Sequence, residues 1–344
     1  MKVQLDTNSK TSATTTVVEE PKSIESTNLG TTGSLYRRHD EDKSAESKDL
    51  LRENYLAERR KLGTNESFTL LSYNDAPSYL QFNPFIKTGY RGYLSTRMCI
   101  ESIFWWTNET INIWSHIFGW MLFLGLTLYD LLLLNIHASV TDKFIVGMLL
   151  VCFQVCMILS SLYHTFSCRS EKDYWCFLTY DLLGISLSLL AIYLSGIYYA
   201  FWCHKDWQNF YLSTVLLIFL FAMVLQMPRF NISSNLKLLV FVAWAAYGVV
   251  PTFHWTVVMG GMDNPVVQLL LPRVLGMYAI SSVAFIIYIT KVPERFFSGK
   301  VDYIGSSHQW WHFFVVLALY YWHNTGIKYV EYRMNHGCST NLTL

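Results

Sequence analysis

From about Ile111 onward the chain repeats one pattern, a run of roughly 20 mostly apolar residues followed by a short polar connector. Roughly 20 residues is the length a helix needs to cross a hydrocarbon core about 30 Å thick. Seven such runs predict spans at about 111–134, 144–164, 176–200, 208–227, 236–257, 267–290 and 307–331. The expected fold is an all-α membrane protein, a seven-transmembrane helix bundle whose short connectors make consecutive helices antiparallel neighbours. Pro251 in the fifth run predicts a kink, which neighbouring helices can accommodate.

Before those spans the pattern is polar. Residues 1 to about 45, rich in Ser, Thr, Glu and Lys, hold too little apolar surface to offset ordering entropy, so disorder is expected. Ser47 to Leu62 places Leu51, Tyr55 and Leu62 along one stripe and ends at Gly63, predicting a short amphipathic helix. Asn83 to Arg91 reads as turns. Ser95 then caps a helix that carries Met98, Ile100, Ile103, Phe104, Trp105 and Trp106, aromatics suited to lying along headgroups. The expected domains are a cytosolic tail at 1–78, a juxtamembrane segment at 79–109, the seven-span domain at 110–333 and a luminal tail at 334–344.

Composition supports this reading: 52% of the residues are hydrophobic and 15% charged, a balance foreign to ordinary soluble domains. A net charge of +1 gives no attraction to nucleic acid. The Lys and Arg residues set orientation. Of 26, the amino-terminal segment and the second, fourth and sixth connectors hold 21, leaving Lys143, Lys205, Arg273, Lys328 and Arg333 on the other side. The excess predicts a cytosolic amino terminus and a luminal or extracellular carboxyl terminus. Only Asn341, of four glycosylation sequons, falls on the luminal side. The seven cysteines show neither a CxxC pair nor a short disulfide framework, and Cys152 and Cys156 read as packing residues.

Ionisable groups at membrane depth are costly and mark candidate function. His164 ends the second span, Asp181 lies about a turn and a half into the third, and His308 and His312 open the seventh. Span direction brings all four to the cytosolic leaflet, although the charge count never used them. His308 and His312, at i and i+4, share one helical face. Adding His164 gives three ligands for one ion and leaves a fourth tetrahedral position for water, as open zinc sites do. Asp181 could accept from that water or act as a base, and Ser160, one turn before His164, faces the same place. The other polar residues read as ordinary: His116 and His254 as satisfied core or interfacial histidines, Asp130 and His323 as solvated, Arg273 as snorkelling.

At these residues the chain resembles the progestin and adipoQ receptor family. The matching motifs are Asn108-Glu109-Thr110-Ile111-Asn112-Ile113-Trp114-Ser115-His116, Ser160-x-x-x-His164, Asp181-x-x-Gly184-Ile185, Pro293-Glu294-Arg295 and Ser307-His308-Gln309-x-x-His312, in family order over about 80–335. Within the family, Cys152-Phe153-Gln154-Val155-Cys156-Met157 and the runs 291–295 and 305–309 are most similar to a branch that traps Raf kinase at the Golgi. The resemblance implies seven spans, a cytosolic amino terminus and Zn2+ on His164, His308 and His312, with Asp181 and Ser160 beside its water. It departs from the adiponectin receptors at Trp310, where they carry a smaller aliphatic residue, and at Ser298, where a proline is common. A bulky Trp310 beside the histidines is expected to narrow lipid access.

Three functions stay open at this point. The first is a receptor-like regulator at Golgi membranes whose amino-terminal region binds a cytosolic Raf-like kinase and dampens MAPK signalling. The second is a zinc-dependent intramembrane hydrolase of a lipid amide, with Asp181 and Ser160 catalytic. A receptor for an adipokine or steroid is the third; membrane lipids are partners in all three.

Overall fold

The computed structural model describes residues 69–133, 138–227, 230 and 232–338. The amphipathic stretch 47–62 and the tail before it lie outside the described residues. Helices α1 (Thr96–Glu101), α2 (Thr110–Leu133), α3 (Val140–Phe166), α4 (Glu171–Ala200) and α5 (Lys205–Gln226) come first in chain order. They are followed by α6 (Ser234–Tyr247), α7 (Val249–Val258), α8 (Pro265–Thr290) and α9 (Ser307–Asn335).

Among the described residues, six spans are long and apolar enough to cross a membrane, with α6 and α7 counted as one. The seventh, α9, has 29 residues, about 43 Å of helix. It is more polar than the other six and carries His308, His312, His323, Lys328, Glu331 and Arg333. The chain is therefore an all-helical, multi-pass membrane protein, and the seven expected runs match these helices to within a few residues. The helices begin earlier than the apolar runs because polar caps extend them. Ser139 and Asp142 form a capping box at α3, and the Ser170 side chain accepts from the Asp173 amide at α4. The fifth span breaks between Tyr247 and Val249, a turn before Pro251, where a proline ring displaces the preceding carbonyl.

Consecutive helices pack side by side, α3 with α4 most extensively, while α9 packs against α2, α3, α4 and α8. At the α3–α4 crossing a Cβ on Gly184 would stand 2.9 Å from the Cys156 Cα. Glycine there lets the two backbones touch and draws Asp181, one turn away, toward Ser160.

A small cap of non-spanning chain closes the end of the bundle at which α3 finishes and α9 starts. Leu71 and Tyr90 pair their backbones, and Leu80, Ile86, Leu94 and Cys99 bury against Tyr163, Cys168 and Tyr174. Ser95 caps α1, as expected, but the helix is shorter than expected: it stops at Glu101, a 3-10 turn follows over Ser102–Phe104, and Trp105 and Trp106 lie beyond it. Cys99 and Cys168, both buried free thiols, meet at 3.8 Å, Sγ to Sγ.

The opposite end is held differently. A disulfide joins Cys203, after α4, to Cys338, after α9. Asp142 is buried there and accepts hydrogen bonds from Tyr199 at 3.0 Å, from the Ser139 hydroxyl at 2.5 Å and from Arg333. Asp130 and His323, expected to be solvated, are instead buried and paired, His323 Nε2 lying 2.6 Å from Asp130 Oδ2. Each looks peripheral alone, yet two ionisable groups facing one another inside a bundle satisfy each other better than either could alone.

Candidate metal centre

Two helix ends supply the histidines of the site. His164 closes α3, while His308 and His312 occupy successive turns at the start of α9. One ring nitrogen from each lies within 4.8 Å of the others. His164 and His312 are buried and His308 is half-buried; His308 Nε2 stands 3.3 Å from His164 Nε2.

Neighbours fix the tautomers. His164 Nδ1 is 2.7 Å from Glu109 Oε2, so that nitrogen carries the proton donated to the carboxylate. His312 Nδ1 lies 3.1 Å from the Asn112 carbonyl, which can only accept. Both rings therefore turn an unprotonated Nε2 toward the shared centre. This is the arrangement by which a carboxylate or carbonyl orients a metal-ligating histidine. Burial alone would raise the Glu109 carboxyl; Arg91 and a 2.7 Å hydrogen bond from Asn112 Nδ2 act against it and favour the carboxylate.

The backbone around the histidines is anchored from a distance. Arg91, buried in the cap, donates to Ser102 Oγ at 2.8 Å, to the Thr165 carbonyl at 3.1 Å and to the His164 carbonyl. It thereby satisfies carbonyls that the end of α3 leaves free. At the other helix, the fully buried Glu294 accepts from the Ser307 amide at 2.7 Å, from the Ser307 hydroxyl and from Asn83 Nδ2 at 3.1 Å. Ser306 offers α9 no side-chain cap, so Glu294 of the Pro-Glu-Arg motif does that work from the preceding loop.

The residues present fit a resident cation. Three imidazoles converge, and two of them are held with their lone pairs inward. The surroundings also hold orphaned polar atoms: Asn112 Oδ1 and both nitrogens of His116 are buried without a hydrogen-bond partner. Buried polar atoms of that kind are the mark of a place built for water or an ion. Ser160 is buried one turn before His164; Asp181 is half-buried, faces Ser160 and lies within electrostatic reach of His164.

Two expectations change. His116 is not a satisfied core histidine, for it stacks on His312 with ring centroids 3.9 Å apart and belongs to the site. Trp310 does not crowd the histidines; it is exposed and packs on Phe313 and Phe314. The aromatic neighbours of His308 are Phe82 and Tyr288. His254 is satisfied, with its Nδ1 2.9 Å from the Tyr211 hydroxyl. The roles of Glu109 and His116 were within reach of sequence reasoning, since Glu109, Asn112 and His116 recur on one helical face. Arg91 and Glu294 gave no such signal.

The comparisons with known proteins identify the family. The family model described as haemolysin-III related matches residues 104–323, from just before α2 into α9. The human protein named Progestin and adipoQ receptor family member 3 is 44% identical over 275 residues, covering 78% of this chain and 88% of its own length. The Drosophila melanogaster Adiponectin receptor protein is 31% identical over 258 residues, covering 74% of this chain and 58% of its own. Heptahelical transmembrane protein 1 of Arabidopsis thaliana is 28% identical over 287 residues, 78% of this chain and 83% of its own length. By these matches the chain belongs to the haemolysin-III-related family, among the progestin and adipoQ receptors.

Proposed function

We propose that this chain is a receptor-like signalling regulator that holds a Raf-like kinase at Golgi membranes through its amino-terminal region and carries a zinc ion within the membrane. The 44% likeness to Progestin and adipoQ receptor family member 3 carries the signalling part. The converging ring nitrogens of His164, His308 and His312 support the zinc part.

The cysteines favour a cytosolic histidine end. The close but unbonded pair Cys99 and Cys168 lies at that end, and the disulfide Cys203–Cys338 at the other. Disulfides persist on the luminal or extracellular side, where conditions are oxidising, and cytosolic thiols stay reduced. In this orientation the segment before α2 is presented to cytosolic partners. A pull-down tests the reading: residues 1–107 retain the kinase, whereas loss of binding by that fragment with full binding by the rest of the chain counts against it.

A second reading rests on Ser160 and Asp181. Zinc on the three histidines would supply Lewis acidity beside them. Asp181 would then take a proton at its carboxylate, with Ser160 orienting that carboxylate and Glu109 keeping His164 in the tautomer that faces the metal. Such a set suits hydrolysis of a lipid amide. Turnover of a short-chain ceramide by purified zinc-loaded protein, abolished in Asp181→Asn, supports the enzyme; stoichiometric zinc without turnover leaves a metal that pins α3 to α9.

A further inference from the structure

We propose that residues 82–88 and the 291–306 loop together form a docking face for the headgroups of anionic phospholipids. This inference is independent of the metal and kinase readings.

The two segments are far apart in sequence and are joined in the fold. The Phe85 carbonyl accepts from Ser298 Oγ at 2.9 Å and from the Gly299 amide at 3.1 Å, and the Phe82 carbonyl accepts from Lys291 Nζ at 3.2 Å. Trp106 stacks on Tyr303 beside them, at a centroid distance of 6.2 Å. The loop has two acidic residues, and both are turned inward. Glu294 is spent on Ser307 and Asn83, and Asp302 accepts twice from Thr88, at 2.8 Å from its amide and 2.8 Å from its hydroxyl. The charged side chains left outside on these two segments are all cationic: Arg295, Lys300 and Lys87 are exposed.

Among those cations stand Phe296 at 72% exposure, Phe297 at 52% and Ile304 at 59%, with Phe82 and Trp106 also exposed. Large apolar side chains left outside need a partner, and water is a poor one. A face of bare aromatic and aliphatic groups rimmed by Lys and Arg matches the boundary of an anionic leaflet: the rings enter the acyl region and the cations meet phosphates. Its position agrees, because the loop joins the ends of two spans, α8 and α9, and so lies at the level where headgroups begin. Phe82 meets the His308 ring edge-on at 6.4 Å, so a lipid held here borders the histidine cluster.

The test uses the full chain in nanodiscs of phosphatidylcholine mixed with phosphatidylserine or a phosphatidylinositol phosphate. Native mass spectrometry reads which lipids remain bound on release. The wild type retains anionic lipid over phosphatidylcholine. Lys87→Gln/Arg295→Gln/Lys300→Gln lowers that preference roughly tenfold or more, whereas Lys205→Gln/Lys328→Gln, at the opposite end, leaves it unchanged. No preference in the wild type, or an equal one in both variants, overturns the proposal. In parallel, Phe297→Cys is exposed to a water-soluble maleimide and labelling is read by peptide mass. Slow labelling in anionic nanodiscs supports insertion; labelling at the rate of a freely solvated thiol shows a face open to water or to a soluble protein, and also overturns it.

Discussion

Glu109 Oε2 and His164 Nδ1 lie 2.7 Å apart although 55 residues separate them, and this contact ties the start of α2 to the end of α3. The carboxylate sits where the helix amides at the α2 amino terminus favour negative charge. It holds the His164 proton on Nδ1 and frees Nε2. The histidine cluster is thus a preset arrangement with its own support, and its parts can be tested singly.

Glu109→Gln keeps the shape and removes the charge. The amide can still pair with the ring, but its nitrogen competes for the wrong tautomer. Zinc affinity falls by about 10- to 100-fold while the protein stays folded. A competition titration with a fluorescent zinc chelator, run alongside thermal unfolding, measures both.

Arg91→Ala leaves the carbonyls of His164 and Thr165 and the Ser102 hydroxyl without their buried donor. Loss of a charged donor to several buried acceptors costs about 3 kcal/mol. Arg91→Lys recovers only part of this, because one ammonium cannot span positions that the planar guanidinium reaches together. The midpoint of detergent-induced unfolding ranks the three proteins as wild type, lysine, alanine; equal midpoints for all three contradict the role.

Gly184→Ala places a methyl group 2.9 Å from the Cys156 Cα. Backbone cannot yield as a flexible side chain does, so α3 and α4 separate at a cost of about 1–3 kcal/mol. The same unfolding assay reads the loss. A second effect follows at Asp181, which moves away from Ser160; if a hydrolase activity is present, it falls more than stability alone accounts for.

The bundle was legible from run length and from the spacing of polar groups within the runs. His164, Asp181, His308 and His312 stood out because an ionisable side chain between apolar residues has few structural uses, and helix direction placed them at one end. What the sequence concealed are contacts between distant segments. Glu294 caps α9 from a loop, and its Asn83 partner is 211 residues away. Arg91 reaches His164 across 73 residues. Asp130 and His323 are 193 residues apart, and each alone resembles a solvated residue near a helix end. The Cys203–Cys338 bridge spans 135 residues with no local spacing to announce it. His116 lay inside a recognised motif, but only its stacking on His312 shows that it serves the site.

Orientation is open to direct measurement. In sealed vesicles with the cytosolic face outward, a membrane-impermeant reductant followed by a polymer-linked maleimide leaves Cys203 and Cys338 unmodified until detergent opens the vesicle. A tag at the amino terminus is digested by added protease without detergent. The reverse pattern contradicts the proposed topology.

The central claim is that His164 at the end of α3 and His308 and His312 at the start of α9 hold one zinc ion between them, and metal content tests it most directly. Protein purified without chelator and analysed by inductively coupled plasma mass spectrometry contains about one zinc per chain, and His308→Ala, equally folded, contains far less. A wild-type protein with no zinc after purification in zinc-replete buffer, or a His308→Ala variant that keeps the full amount, contradicts the account.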